Sequence, residues 1–232
     1  MIKISSITKE YSGQIVLNIP ELFIPRAECF GLVGNNGAGK TTLFRIILDL
    51  IRPTSGHVFI EGEDVSATEE WKKRVGSYLD EHMLLGYLTP DEYFESLSKI
   101  YGLSVKDMDI HLDRFSDLFN NEIIGTNKYI RDLSKGNIKK VGIAAAMFGQ
   151  PEVVILDEPF ENLDPSSQNR LKKIIGEEIE NSQTTFLISS HDLSHVTDIC
   201  RRIVLLEKGI IVQDLKESRE DMIQALNQYF DA

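Results

Sequence analysis

Gly34-Asn35-Asn36-Gly37-Ala38-Gly39-Lys40-Thr41-Thr42 is the stretch from which the rest of the chain can be read. Glycine, four residues, then Gly-Lys-Thr is the pattern of a phosphate-binding loop. An apolar run at 29–33 precedes it, and a run at 42–50 with helical period follows, placing Leu43, Ile46, Ile47 and Leu50 on one face. The expected order is strand, glycine loop, helix. Glycines let the backbone wrap with its amides pointing inward, and the helix N-terminus adds partial positive charge, so the loop cradles a polyphosphate. Lys40 then reaches the terminal phosphates and Thr41 offers its hydroxyl to magnesium. Average composition produces this pattern in about 1% of chains of this length. The flanking strand and helix further disfavour the plain alternative, a flexible glycine loop.

At 232 residues, 42% hydrophobic and 26% charged, the chain has room for one α/β domain with an inserted subdomain. Its net charge of −11 disfavours wholesale binding to nucleic acid or anionic lipid, so any anion site must be local. No apolar run reaches the eighteen residues of a membrane span, and residues 1–4 alternate like a strand rather than opening a secretory signal. The expected location is the cytoplasm. Cys29 and Cys200 lack metal-type spacing and read as buried thiols without a function.

Outward from the loop, residues 2–7 and 14–17 look like short strands around a turn at Tyr11-Ser12-Gly13, where Tyr11 by itself reads as a core filler. Strand-like runs follow at 57–60 and 75–79, and Trp71-Lys72-Lys73-Arg74 between them reads as a solvated helix end. Residues 81–150 contain helical runs from Pro90 to Tyr101, at 106–119 and from Ser134, with no convincing strand. They form a helical insertion in a nucleotide-binding core made of 1–80 and 151–232. After the insertion come a continuous apolar strand at 153–156, a helix at 167–180, a strand at 184–190 and a helix at 192–200. Strands at 202–207 and 210–212 and a closing helix at 220–230 complete the chain. The fold class is α/β, with a mainly parallel, helix-covered sheet.

In open parallel sheets ligands bind beyond the carboxyl ends of the strands. Three groups sit there: the glycine loop after Val33, Asp157-Glu158 after Leu156, and His191 after Ser190. Asp157 is placed to anchor magnesium, which takes few protein oxygens and keeps several waters. Glu158 lies one residue beyond the metal and can orient or deprotonate an attacking water. His191 is a candidate contact to the γ-phosphate or the water. Its spacing to His195 mimics a helical metal pair, but no third ligand is nearby. Leu133-Ser134-Lys135-Gly136-Asn137 opens a further helix, with Ser134 at the N-cap and Gly136 freeing the first turn. It reads equally as a second phosphate-capable terminus or an ordinary capped helix.

Together the loop at 34–42, the Leu133–Asn137 pentapeptide, the strand at 153–156 with Asp157-Glu158, Glu161-Asn162-Leu163-Asp164 and His191, in this order and spacing, closely resemble the nucleotide-binding subunit of ATP-binding cassette (ABC) transporters. The resemblance covers essentially the whole chain. It implies a P-loop ATPase core with an N-terminal antiparallel β subdomain and an inserted helical signature subdomain at 81–150. ATP and Mg2+ are the implied ligands. Tyr11 matches the aromatic that stacks on adenine, which displaces the core-filling reading. Asn35, Asn36, Gly37, Ala38, Gly39, Lys40, Thr41 and Thr42 match the phosphate and magnesium contacts. Asp157 matches the metal-side acid, Glu158 the catalytic glutamate and His191 the switch histidine. Ser134 and Gly136 match residues that touch the γ-phosphate held by the opposite subunit, and Asp164 the loop crossing between the two sites.

Two departures stand out. Lys135 replaces the first signature glycine and Asn137 the glutamine, while Ser134 and Gly136 remain. Asp80 takes the place of a glutamine that in the family touches magnesium and water. The resemblance implies ATP hydrolysis by a dimer, expected to be a homodimer, that drives a separate membrane permease docked near 80–101. The cassette looks like those of ABC-2-type exporters and is expected on the inner face of the cell membrane. Alternatives are a soluble ABC ATPase acting on an assembly partner, or a degenerate regulator that binds ATP without hydrolysing it.

Overall fold

A computed structural model describes residues 1–216 and 218–230. Alternating apolar residues bury one face of β1 (Ile2–Tyr11) and β2 (Gln14–Ile24), with Ile2, Ile4, Ile7, Leu17, Ile19, Leu22 and Ile24 inside. Ser12 and Gly13 turn between them with positive φ. β3 (Cys29–Val33), buried along its whole length, feeds the glycine loop and α1 (Lys40–Ile47). β4 (Ser55–Ile60) and β5 (Glu63–Asp64) return to β1, giving an antiparallel sheet in the order β2-β1-β4-β5. A 3-10 turn, Glu70–Arg74, then buries Trp71, whose indole donates to Val65 O and Thr68 O, while Lys72 and Lys73 pair outward with Glu69 and Glu70.

β6 (Val75–Tyr78) is followed by the helical segment: α2 (Pro90–Tyr101), α3 (Val105–Arg114), α4 (Ser116–Phe119) and α5 (Lys135–Ala146). Capping boxes at Thr89/Glu92 and Ser104/Asp107 start α2 and α3, and Gly102, left-handed at φ 66, ends α2. The helix expected over 106–119 is interrupted at the fully buried Phe115. Beyond it come β7 (Val153–Leu156), α6 (Pro165–Ser182), β8 (Thr185–Ser190), α7 (Leu193–Ile199), β9 (Arg202–Glu207), β10 (Ile210–Leu215) and α8 (Arg219–Phe230).

The main sheet runs β10-β9-β3-β8-β7-β6, parallel throughout except for the β9–β10 hairpin. Successive residues of its strands serve two separate cores. Phe30, Leu32, Val153, Ile155, Leu187, Val204 and Leu206 meet α1 and the antiparallel sheet. Val33, Val154, Leu156, Phe186, Ile188, Ile203 and Leu205 face α5, α6, α7 and α8. Cover on both faces explains the unbroken apolar runs of β3 and β7, and it places the carboxyl ends of β3, β7 and β8 side by side.

Candidate functional site

The glycine loop is built by backbone requirement. Gly37 and Gly39 have φ of 82 and 108, and Gly39 caps α1 in the left-handed region. A Cβ on Gly34 would stand 2.2 Å from Leu206 O. The loop is tied from outside, because the Gly209 amide, in the β9–β10 turn, donates to Ala38 O at 2.9 Å and Gly209 O accepts from Asn18 N at 2.7 Å. The helix starts at Lys40, two residues before the apolar pattern, which puts Lys40, Thr41 and Thr42 in its first turn.

Lys40 is 6% exposed. Its ammonium donates to Gly34 O at 2.6 Å and lies 3.3 Å from Glu158 Oε1. Thr41 Oγ1 donates to Asp157 Oδ2, and Ser189 Oγ to Asp157 Oδ1. Burial raises the Asp157 carboxyl above the ordinary carboxylate range, opposed by those two hydroxyls. A desolvated carboxylate beside a threonine hydroxyl is a hard-oxygen donor set that gains from a cation, and these residues fit magnesium.

Glu158 holds a left-handed backbone at φ 47. Its amide donates to Ser189 Oγ at 2.9 Å, and its Oε2 accepts from the His191 amide at 3.2 Å and faces His191 Nδ1 at 3.0 Å. Oε1 is buried without a hydrogen bond, close to the Lys40 charge. Strand register accounts for the grouping: Leu156 lies beside Ile188 and Val33 beside Ser190. Lys40, Thr41, Asp157, Glu158 and His191 therefore meet in one place. Ser189 links Asp157 to Glu158, and sequence reasoning missed it; the only signal was a serine one position from a strand's end.

The remaining residues lie around this centre. Asp80 caps a 3-10 turn, Glu81–Met83, by accepting from His82 N at 2.9 Å, and its other oxygen is 3.4 Å from Arg45. It borders a cleft of about 350 Å³ shared with Lys135, Lys139, Asp157, Glu158 and Glu161. Tyr11, 48% exposed, ends β1 with Lys9 Nζ 4.7 Å from its ring centroid, so it fills no core. His195 packs on Phe160 at 5.0 Å with Nε2 3.6 Å from Asp192.

Ser134, Gly136 and Asp164 line a separate cleft of about 420 Å³ to which no glycine-loop residue contributes. Ser134 Oγ accepts from Asn137 N at 3.2 Å, as an N-cap should. Gly136 needs no special φ, contrary to expectation. It is glycine in space, since an added Cβ would sit 2.8 Å from Asn162 O. Asp164 is the N-cap of α6, with Oδ1 accepting from Ser166 N and Ser167 N at 3.0 and 3.1 Å. The Ser166 and Ser167 hydroxyls, which donate to it at 2.6 and 2.5 Å, together with the Ser167 amide hold its carboxyl far below the usual range.

The family model described as ABC transporter matches residues 17–161. The chain is 34% identical over 223 residues to the uncharacterized ABC transporter ATP-binding protein YhaQ of Bacillus subtilis (strain 168), covering 94% of this chain and 72% of that one. It is 32% identical over 224 residues to the bacitracin transport ATP-binding protein BcrA of Enterococcus faecalis, covering 94% and 70%. Among solved structures, the dimeric structure of MJ0796, a bacterial ABC transporter cassette, superposes with a TM-score of 0.82 at 25% identity, covering 93% of this chain and 98% of that one.

Proposed function

The chain belongs to the ABC transporter family as an ATP-binding and ATP-hydrolysing subunit, and from that premise we propose that two copies close on two MgATP and that Glu158 prepares the attacking water. The observation that carries this is the half-buried Glu158 carboxylate at the carboxyl end of β7, between His191 and Lys40, with its buried oxygen Oε1 free of hydrogen bonds.

The loop amides and Lys40 hold the phosphates. Thr41 and Asp157 would hold magnesium, which supplies positive charge to the β- and γ-phosphate oxygens. Glu158 Oε1 accepts a hydrogen bond from the water and then its proton, while His191 fixes the carboxylate through Oε2. Tyr11 stacks on the adenine. Ser134 and Gly136 complete the γ-phosphate shell of the other copy, with Asp164 holding the intervening loop by capping α6. Asp80 borders the metal-side cleft, but its oxygens serve a cap and Arg45, so its reach to magnesium requires release of that contact.

The same reading places a membrane permease against 80–101, where Met83, Leu85 and Tyr87 are exposed. The subunit then works at the cytoplasmic face of the cell membrane, and no helix among the described residues is long and apolar enough to cross it. Likeness to a bacitracin transport ATP-binding protein supports work for a transporter, and we assign the direction as export. The test is Glu158→Gln, which keeps ATP binding and gathers an ATP-dependent dimer by light scattering while turnover falls about 100-fold or more. Undiminished turnover removes Glu158 from the role.

A further inference from the structure

Lys139 stands in the second turn of α5, on the side turned toward the sheet. It is only 9% exposed. A buried ammonium is costly unless it is hydrogen-bonded and paired, and here its chief partner is a neutral atom: Nζ donates to the backbone carbonyl of Glu158 at 2.6 Å. The nearest carboxylate oxygen is Glu161 Oε2, at 3.7 Å. A charge spent on a peptide carbonyl points to a conformation that needs holding.

Glu158 has such a conformation. Its left-handed backbone, φ 47, is one that residues with a Cβ rarely adopt and that persists only where surroundings over-determine it. The peptide units on either side are gripped from opposite elements. Ser189 of β8 takes the amide hydrogen at 2.9 Å, and Lys139 of α5 supplies the donor for the carbonyl. Between these two contacts the backbone angles are fixed, and with them the direction of the Cα–Cβ bond. That direction sends the carboxylate to His191 at 3.0 Å and to Lys40 at 3.3 Å. Relaxation to a commoner conformation would swing it elsewhere.

We propose that Lys139 is a positioning residue for hydrolysis: its ammonium clamps the Glu158 carbonyl, keeps the backbone left-handed and so aims the carboxylate at the attacking water. The proposal rests on the reading of Glu158 given above. It differs from a simple neutralising role among Asp157, Glu158 and Glu161, because the clamp acts only through Glu158.

The experiment measures steady-state turnover, KM for ATP and the melting temperature of the purified chain. Lys139→Met keeps the length of the side chain and removes the donors. It lowers kcat about 10- to 100-fold, as a displacement of order 1 Å of a catalytic group does, with KM and the ATP-dependent dimer unchanged. Lys139→Arg, which can donate to the same carbonyl, restores kcat to within about 3-fold of the parent. In a Glu158→Gln background Lys139→Met changes residual turnover less than about 2-fold, because residues that act as a unit are not additive. Should Lys139→Met melt early, Lys139→Gln, a neutral donor, is read instead and retains more than about a tenth of parent turnover. Full turnover in Lys139→Met, an equal further loss in the Glu158→Gln background, a loss carried by KM, or a Lys139→Gln as inactive as Glu158→Gln overturns the proposal. If Glu158→Gln itself turns over normally, it is the reading of Glu158 that fails.

Discussion

His111 supplies a measurable acid sensitivity. It lies on α3 with its ring packed on Phe115 at 4.9 Å and Phe148 at 4.8 Å, and its Nε2 is 2.9 Å from Ala144 O of α5. A carbonyl partner fixes Nε2 as the protonated nitrogen. Burial pushes the imidazole pKa from the ordinary 6.5 down to about 4; the Ala144 carbonyl opposes that fall and Arg114 adds to it. The unfolded chain therefore takes a proton near pH 6.5 that the folded chain refuses until about 4, so stability falls as pH falls through that window. The two values imply a loss of about 2 kcal/mol at pH 5 and about 3 kcal/mol below pH 4, relative to pH 7.5. His111→Gln keeps a neutral donor for Ala144 O and cannot take the proton. Urea unfolding of both proteins at pH 7.5, 6 and 5 isolates the effect, since the carboxylates they share cancel in the difference. The parent is expected to be the more stable at pH 7.5 and to lose about 2 kcal/mol of that advantage by pH 5. A stability difference that stays constant across this range refutes the argument, because it would mean that His111 titrates alike in both states.

Two further substitutions test other parts of the structure. Tyr11→Ala removes an exposed ring, and nucleotide affinity by equilibrium titration should weaken by about 1 to 3 kcal/mol, the worth of a base stacked on an aromatic; unchanged affinity would leave the ring without a partner. Gly136→Ala forces a methyl to 2.8 Å from Asn162 O, and unfolding stability should fall by about 1 to 3 kcal/mol, as in overpacked cores. An unaltered melting temperature would show that the loop at Asn162 yields freely.

Much of this was legible because it depends on local pattern. The glycine loop announces itself through spacing, and β7 was expected at 153–156 and lies there, because four apolar residues are bounded by Glu152 and Asp157. Asp157, Glu158 and His191 followed from the rule that parallel strands present their chemistry at their carboxyl ends. Pairing was harder to read. β2 was expected to stop at 17, since Asn18, Pro20 and Glu21 break its apolar rhythm, yet it runs to Ile24 because β1 supplies the partner along its length. Residues 57–60 read as a strand, but periodicity names no neighbour, and they joined the antiparallel sheet. Ser189 became visible only when register set β8 beside β7, and the left-handed turn at Glu158 had no signature at all. Asp164 shows the opposite case: Asp-Pro-Ser-Ser is a plain helix cap, and the family resemblance drew attention to the loop instead.

The sheet order also has a consequence for how the chain is made. β3, which carries the glycine loop, pairs with β8 on one side and β9 on the other, and both are encoded in the last quarter of the sequence. Residue 207 leaves the ribosome about 170 residues after residue 33, roughly 10 to 35 s later at ordinary elongation speeds. Until β8 emerges the nascent strand Cys-Phe-Gly-Leu-Val has both hydrogen-bonding edges unpaired, and until β9 follows one edge stays open. The nucleotide cradle is thus encoded early and assembled late, and a ribosome that stalls before β8 leaves a chain with its glycine loop complete in sequence and neither of the strands that flank β3.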